Sequence, residues 1–208
     1  MKRTRIKICG ITRAEDARGA AALGADAIGL VFYPPSPRFL TPGQALEVAR
    51  AVPPFVTRVA LFVNESEEAI RRVLASVPVD CLQFHGEETE AECARYGRPY
   101  LKVARVRPGL DLLEYARSFP SAQGLLLDAW VEAYGGAGQR FDWSLIPAAL
   151  PLPLVLSGGL TADTVGQAVR GLRPWAVDVS SGVESSAGVK DARKMAEFIA
   201  AVRAADGC

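Results

Sequence analysis

Histidine is almost missing from this chain: of 208 residues only His85 carries an imidazole. That scarcity argues against a histidine-rich metal centre. The four cysteines (Cys9, Cys81, Cys93 and Cys208) show no close paired spacing, so neither a zinc site nor a disulfide framework is expected. An excess of charge is lacking as well, with 24 Lys and Arg against 23 Asp and Glu and a net charge of +1. Both signs are dispersed, which excludes the clustered basic footprint of a nucleic-acid binder. No uninterrupted apolar run reaches the roughly 18 residues that would suggest a membrane span. The basic start Met1-Lys2-Arg3-Thr4-Arg5 is not followed by the apolar core of a signal peptide. A reduced, cytoplasmic protein without nucleic-acid or membrane partners is the expectation. Asn64 is the only asparagine, whereas there are 14 prolines and Arg outnumbers Lys. Thermophily and a GC-rich genome account for that composition equally well.

What is present in quantity is hydrophobic residues, 50% of the chain, arranged in a repeat. Short apolar runs occur at Ile6–Cys9, Ala27–Phe32, Arg58–Val63, Cys81–Phe84, Tyr100–Val103, Leu125–Asp128, Leu154–Ser157 and Ala176–Ser180. Helical patterns follow them: Arg13–Leu23, opened by a Thr12/Glu15 capping box; Thr41–Ala51, with Pro42 at its first position; Glu65–Ser76, Thr89–Tyr96, Asp111–Ser118, Thr161–Arg170 and Asp191–Ala205. The sixth unit has only Trp143–Leu150, which Pro147 interrupts. Eight units of roughly 26 residues, with no composition break, predict one α/β domain over 1–208, a phosphate-binding type of (β/α)8 TIM barrel. An open doubly wound sheet is the alternative, but the first turn, Cys9-Gly10-Ile11-Thr12, lacks its G-x-G-x-x-G fingerprint.

Barrel chemistry sits at the carboxyl ends of the strands. Cys9 stands there in the first unit, either as a small buried hydrophobe or as a reactive thiol, with Lys7 on the same strand face as a cation that favours thiolate. Asp128 closes the sixth run with no helix directly after it, which favours a site acid over a cap. His85 ends the fourth run and is either a hydrogen-bonded structural residue or a site group. Arg38 lies in a proline-stiffened loop after the second and has the planar fork that suits a carboxylate. Asp178 shares a face with Ser180. Gly158 and Gly159 in the seventh unit, with Ser180, Ser181 and Gly182 in the eighth, occupy the loops where such barrels bind phosphate through backbone N–H groups. Gly135, Gly136 and Gly138 suit either a mobile cover or plain turns.

Taken together, Lys7-Ile8-Cys9-Gly10-Ile11-Thr12, Ser36-Pro37-Arg38-Phe39, Gln83-Phe84-His85-Gly86, Asp128 with Gly135-Gly136 and Phe141-Asp142-Trp143, Leu156-Ser157-Gly158-Gly159-Leu160 and Asp178 to Glu184 closely resemble the phosphoribosylanthranilate isomerase family of tryptophan biosynthesis. These stretches fall in family order from end to end. Ala137 and Gln139 depart from the usual loop pattern, and the pair Gln83-Phe84 replaces the commoner leucine-containing pair before the histidine. The resemblance implies a cofactor-free Amadori rearrangement of N-(5-phosphoribosyl)anthranilate to the deoxyribulose 5-phosphate aminoketose. It implies Asp128 as the general acid that opens the furanose and Cys9 as the base that removes the C2 proton. It implies Arg38 on the anthranilate carboxylate, His85 and Asp178 lining the site, and phosphate at Gly158, Gly159, Ser180, Ser181 and Gly182. The partner is then a small sugar phosphate, and the chain a monomer or homodimer. A metal-dependent epimerase would need more histidines, a synthase of the indoleglycerol type a catalytic lysine with several glutamates. A non-catalytic sensor would have lost the acid or the base.

Overall fold

The computed structural model describes residues 3–130 and 141–207. The eight apolar runs become eight parallel strands: β1 (Arg5–Ile8), β2 (Ala27–Val31), β3 (Thr57–Phe62), β4 (Cys81–Phe84), β5 (Tyr100–Val106), β6 (Gly124–Ala129), β7 (Leu154–Leu156) and β8 (Ala176–Val179). They pair in chain order, and β8 pairs back to β1, so the barrel closes. The open-sheet alternative is thereby excluded. Helices α1 (Ala14–Leu23), α2 (Pro42–Arg50), α3 (Glu67–Ser76), α4 (Glu90–Ala94), α5 (Leu112–Arg117), α6 (Ala162–Leu172) and α7 (Ala192–Asp206) follow the strands. Among the described residues, no helix is long and apolar enough to cross a membrane.

Strand alternation divides the side chains into two sets. Outward residues such as Ile6, Ile8, Ile28, Leu30, Phe62 and Phe84 are almost fully buried against the helices and form the main core. Inward, Val103, Leu126, Val155 and Ala176 make an apolar floor inside the barrel. Val31, Leu61 and Val63 make a second apolar wall beside Cys9. Between floor and mouth the inward positions carry Lys7, Gln83 and Asp178, all buried. Polar groups inside the barrel, above an apolar floor, place the chemistry at one end.

Three local expectations are corrected. The sixth helix is reduced to one 3-10 turn, Trp143–Leu145, because the chain meets Pro147, Pro151 and Pro153 before β7 begins. The Thr12/Glu15 capping box does not form: the N-cap of α1 is Arg13 without a side-chain cap bond, and the Thr12 hydroxyl donates instead to the Gly188 carbonyl. After β8 the chain folds into a small antiparallel hairpin, β9 (Glu184–Ser186) with β10 (Val189–Lys190), which the sequence reading did not contain. The other caps behave as their residues dictate; Thr41 and Thr89 each make a reciprocal capping box.

The loops after β3 and β4 are held by a buried ion pair. Lys102, fully buried on the outer face of β5, donates to Glu88 at 2.8 Å and to the Gly86 carbonyl at 2.7 Å. Glu88 in turn accepts from the backbone N–H groups of Asn64 and Gly86. Removing one member of such a pair leaves an uncompensated buried charge, which typically costs about 3–5 kcal/mol. Glu88→Ala is expected to lower unfolding free energy by roughly that amount in denaturant titration; a loss under about 1 kcal/mol would show that the pair is not needed to hold these loops.

Candidate active site

The site is built from the inward residues at the carboxyl ends of the strands. Lys7 and Asp178 sit opposite each other in the β1–β8 register and form an ion pair of 2.8 Å. Ser157, beyond the end of β7, donates to the other Asp178 oxygen at 3.3 Å. Cys9 lies two residues on along the same face, and Lys7 and the Cys9 sulfur interact electrostatically. Room for this cluster comes from β2, where Gly29 presents no side chain: a Cβ there would lie 2.6 Å from the Cys9 sulfur and 3.2 Å from Lys7 Nζ. Gly29 is a site residue that sequence reasoning missed; a glycine inside a strand signals close approach of another group.

The charges around Cys9 compete. Burial pushes its thiol above the ordinary value; Lys7 opposes that, Asp178 adds to it and Lys190 opposes it more weakly. Expectation and structure therefore differ: the neighbouring cation is there, but desolvation of a sulfur 6% exposed outweighs it. For Lys7 burial favours the neutral amine, yet Asp178 and the Cys9 sulfur together hold it firmly protonated.

A second cluster ties the first, second and eighth loops together. Arg38 grips Glu184 with two parallel bonds, Nε at 2.8 Å and Nη2 at 2.7 Å. Lys190, delivered by the hairpin, donates to Glu184 at 2.7 Å and to the Ser180 carbonyl and hydroxyl at 3.2 and 3.3 Å. Burial pushes Glu184 up, but Arg38 and Lys190 outweigh it and hold the carboxylate below its ordinary range. Gly10, at φ +72°, lets the first loop pass under Arg38, whose aliphatic stem would collide with any Cβ there. Arg38 is thus less available than its sequence position implied. One edge of its fork is taken, leaving both Nη1 protons and one on Nη2.

Across the mouth, Asp128 projects from β6. Its Oδ1 accepts the N–H of Ala129 at 2.9 Å, and its Oδ2 faces His85 Nε2 at 3.3 Å. Gln83 Nε2 approaches His85 Nδ1 at 3.5 Å. His85 is therefore joined to the carboxylate, while Asp178, the other anion sequence reading placed here, belongs to the thiol side.

Between β7 and α6, Gly158 and Gly159 both adopt left-handed backbone, φ +85° and +61°. The next loop packs against this one so closely that a Cβ at Gly182 would strike the Leu160 carbonyl. Among the described residues, the N–H groups of Gly158, Ser181 and Gly182 make no backbone hydrogen bond. An anion there would also face the N-terminus of α6. The glycine-rich stretch 134–138 and the departures at Ala137 and Gln139 lie outside the described residues. Among the described residues no group of three or more His, Cys, Asp and Glu could hold a metal ion.

Comparison with known proteins agrees over nearly the whole chain. The family model "PRAI: N-(5'phosphoribosyl)anthranilate (PRA) isomerase" matches residues 6–201. The N-(5'-phosphoribosyl)anthranilate isomerase of Dechloromonas aromatica is 63% identical over 204 residues, 98% of each chain. A crystal structure of phosphoribosyl anthranilate isomerase in complex with reduced 1-(o-carboxyphenylamino)-1-deoxyribulose 5-phosphate is 40% identical, with a TM-score of 0.84 over 99% of this chain and 100% of that one. A structure of monomers of the dimeric enzyme from Thermotoga maritima is 38% identical, with a TM-score of 0.84 over 97% and 99%.

The charge pattern around the thiol fixes the sign of two substitutions. Lys7→Met removes the group that most favours thiolate and is expected to move Cys9 ionisation to higher pH; Asp178→Asn removes an opposing anion and is expected to move it lower. Thiolate ultraviolet absorbance against pH, in a background lacking the other cysteines, reads both. Shifts in the reverse directions, or none, would show that Cys9 does not sense this pair.

Proposed function

The chain belongs to the phosphoribosylanthranilate isomerase family and is an isomerase of tryptophan biosynthesis, and from that premise we propose how its residues divide the work. Asp128 is the general acid: its carboxyl proton passes to the furanose ring oxygen of N-(5-phosphoribosyl)anthranilate as the C1–O bond opens, and the anilino nitrogen supplies the electrons of a Schiff base. Cys9 is the general base: its thiolate takes the proton from C2, and the C–H electrons flow towards the nitrogen to give an enolamine. Tautomerisation then yields the aminoketose. The observation that carries the reading is that Cys9 and Asp128 both project inward at the strand ends, from β1 and β6, above an apolar floor.

Burial keeps the resting thiol largely protonated. The cationic Schiff base formed by ring opening favours thiolate by Coulombic attraction, as Lys7 already does. Formation of the base is thereby linked to completion of the acid step. Arg38, fixed in orientation by Glu184, offers the end of its fork to the anthranilate carboxylate. The phosphate is held by the backbone at Gly158, Gly159, Ser180, Ser181 and Gly182, beside the α6 N-terminus. His85 and Asp178 line the two sides, His85 beside Asp128 and Asp178 acting on the thiol side together with Lys7.

The dimeric Thermotoga relative, whose fold this chain shares, supports a homodimer. So does Phe55, fully exposed at φ +69° in the Pro53-Pro54-Phe55 loop before β3, at the barrel end opposite the site. An uncovered aromatic held in strained backbone is explained by a surface that covers it.

A positioned acid or base typically contributes about 10²–10⁴-fold to rate. Cys9→Ser and Asp128→Asn are each expected to fold normally and lose at least about a hundredfold in kcat, followed by loss of anthranilate-derivative fluorescence; near-wild-type turnover in either would remove that residue from the mechanism. Phe55→Ser is expected to convert a dimer to monomers in light scattering without changing kcat. A wild-type mass of one chain at all concentrations would contradict the dimer.

A further inference from the structure

Gln83 has no place in the mechanism so far, yet it is 1% exposed inside the barrel, and its Oε1 has no hydrogen-bond partner. An orphaned buried oxygen normally costs stability and calls for an explanation. Its Nε2 reaches His85 Nδ1, and His85 Nε2 reaches Asp128 Oδ2. We infer that the orientation of the Gln83 amide sets how many protons the His85–Asp128 pair holds. Gln83 is then a positioning residue that determines whether Asp128 enters the reaction charged with its proton.

The chemistry of the three groups gives two arrangements. With Gln83 Nε2–H donating to Nδ1, the ring proton must sit on Nε2, where it donates to an ionised Asp128. The pair then holds one proton, and the acid is spent. Turned by half a rotation, the amide presents Oε1, which accepts from a protonated Nδ1. Nε2 then either accepts from the Asp128 hydroxyl or, as imidazolium, donates to its carboxylate. In both cases the pair holds a second proton, the one to be delivered. The ends of the amide are nearly the same size, so the rotation needs little repacking, and the orphaned group changes from an oxygen to an N–H pair. A side chain with both a donor and an acceptor serves both arrangements; no apolar or singly functional residue does.

The surroundings leave few other influences on His85. From β3 and the residue after it, the apolar Leu61 and Val63 face inward. From β5, Arg105 stands beside Asp128 in the register. In the His85 loop, Glu88 is turned away to Lys102.

The inference rests on Asp128 as the acid, but its test has a readout that does not. Because His85 is the only histidine, 15N-histidine labelling gives one imidazole spectrum. In the wild-type protein Nε2 should be the protonated nitrogen above the titration, with Nδ1 gaining its proton as pH falls. Gln83→Glu, which can only accept at this position, should keep Nδ1 protonated to higher pH and move the alkaline fall of kcat/KM the same way. Gln83→Met should give a mixed tautomer and about a tenfold loss of kcat at unchanged KM, the loss expected for one hydrogen bond. A wild-type spectrum with Nδ1–H above the titration would overturn the inference without need of any variant. So would folded variants whose tautomer and titration match wild type. If Asp128→Asn stayed active while the tautomer still followed residue 83, the acid assignment would fall and the link between Gln83 and His85 would stand.

Discussion

A lysine and an aspartate, each about 5% exposed, meet inside a barrel whose floor is otherwise aliphatic. Desolvating two ions costs several kcal/mol each, and their attraction repays this only with good geometry and further hydrogen bonds. Lys7 and Asp178 meet that condition through their 2.8 Å contact and the Ser157 hydroxyl. The same pair closes the barrel electrostatically where β8 returns to β1. A thiol placed beside it experiences two opposed fields at short range, so small changes in the cavity move its ionisation. Gly29 keeps the thiol there, because any side chain on that strand position would displace it.

The other charged contacts hold the mouth around this centre. Arg38, Glu184 and Lys190 draw the second loop, the last strand end and the hairpin onto the first loop. Gly188 adds to the same junction, with its carbonyl on Thr12 and so close to the Pro37 carbonyl that a Cβ would lie 3.2 Å from it. Lys102 and Glu88 do the equivalent work behind His85. Asp128 thus stands on a strand and Cys9 directly after one, while the loops beside them are fastened to one another by buried ions. In the proposed mechanism, rigid support of this kind keeps the acid and the base at fixed separation while the sugar changes shape between them.

Much of this was legible in the sequence because period-2 alternation and strand ends are local properties. The eight runs, the shared face of Lys7 and Cys9, and that of Asp178 and Ser180 followed from residues within one unit, and the closed order from the number of units. What failed to show depended on distant partners. Thr12 looked like a cap, but its hydroxyl is taken by a residue 176 positions away. Arg38 looked free because Glu184 lies 146 positions downstream. The hairpin strands are too short, at three and two residues, to give a periodic signal. For Cys9 the neighbouring cation could be read from the sequence, but the depth of burial that outweighs it could not. Gln83 stood out only within the stretch Gln83-Phe84-His85-Gly86, since an inward glutamine acquires a role only from the histidine and aspartate beyond it.

The proposed reaction requires one ribose to lie between a sulfur and a carboxyl group, each addressed to a different atom. A crystal structure of this chain with reduced 1-(o-carboxyphenylamino)-1-deoxyribulose 5-phosphate, the ligand of a related structure, tests it directly. The account predicts the Cys9 sulfur against C2, Asp128 at hydrogen-bond distance from the former ring oxygen, and phosphate on the Gly158–Gly159 and Ser180–Gly182 backbone. An analogue bound with C2 out of reach of Cys9, or with another side chain on the ring oxygen, would contradict it.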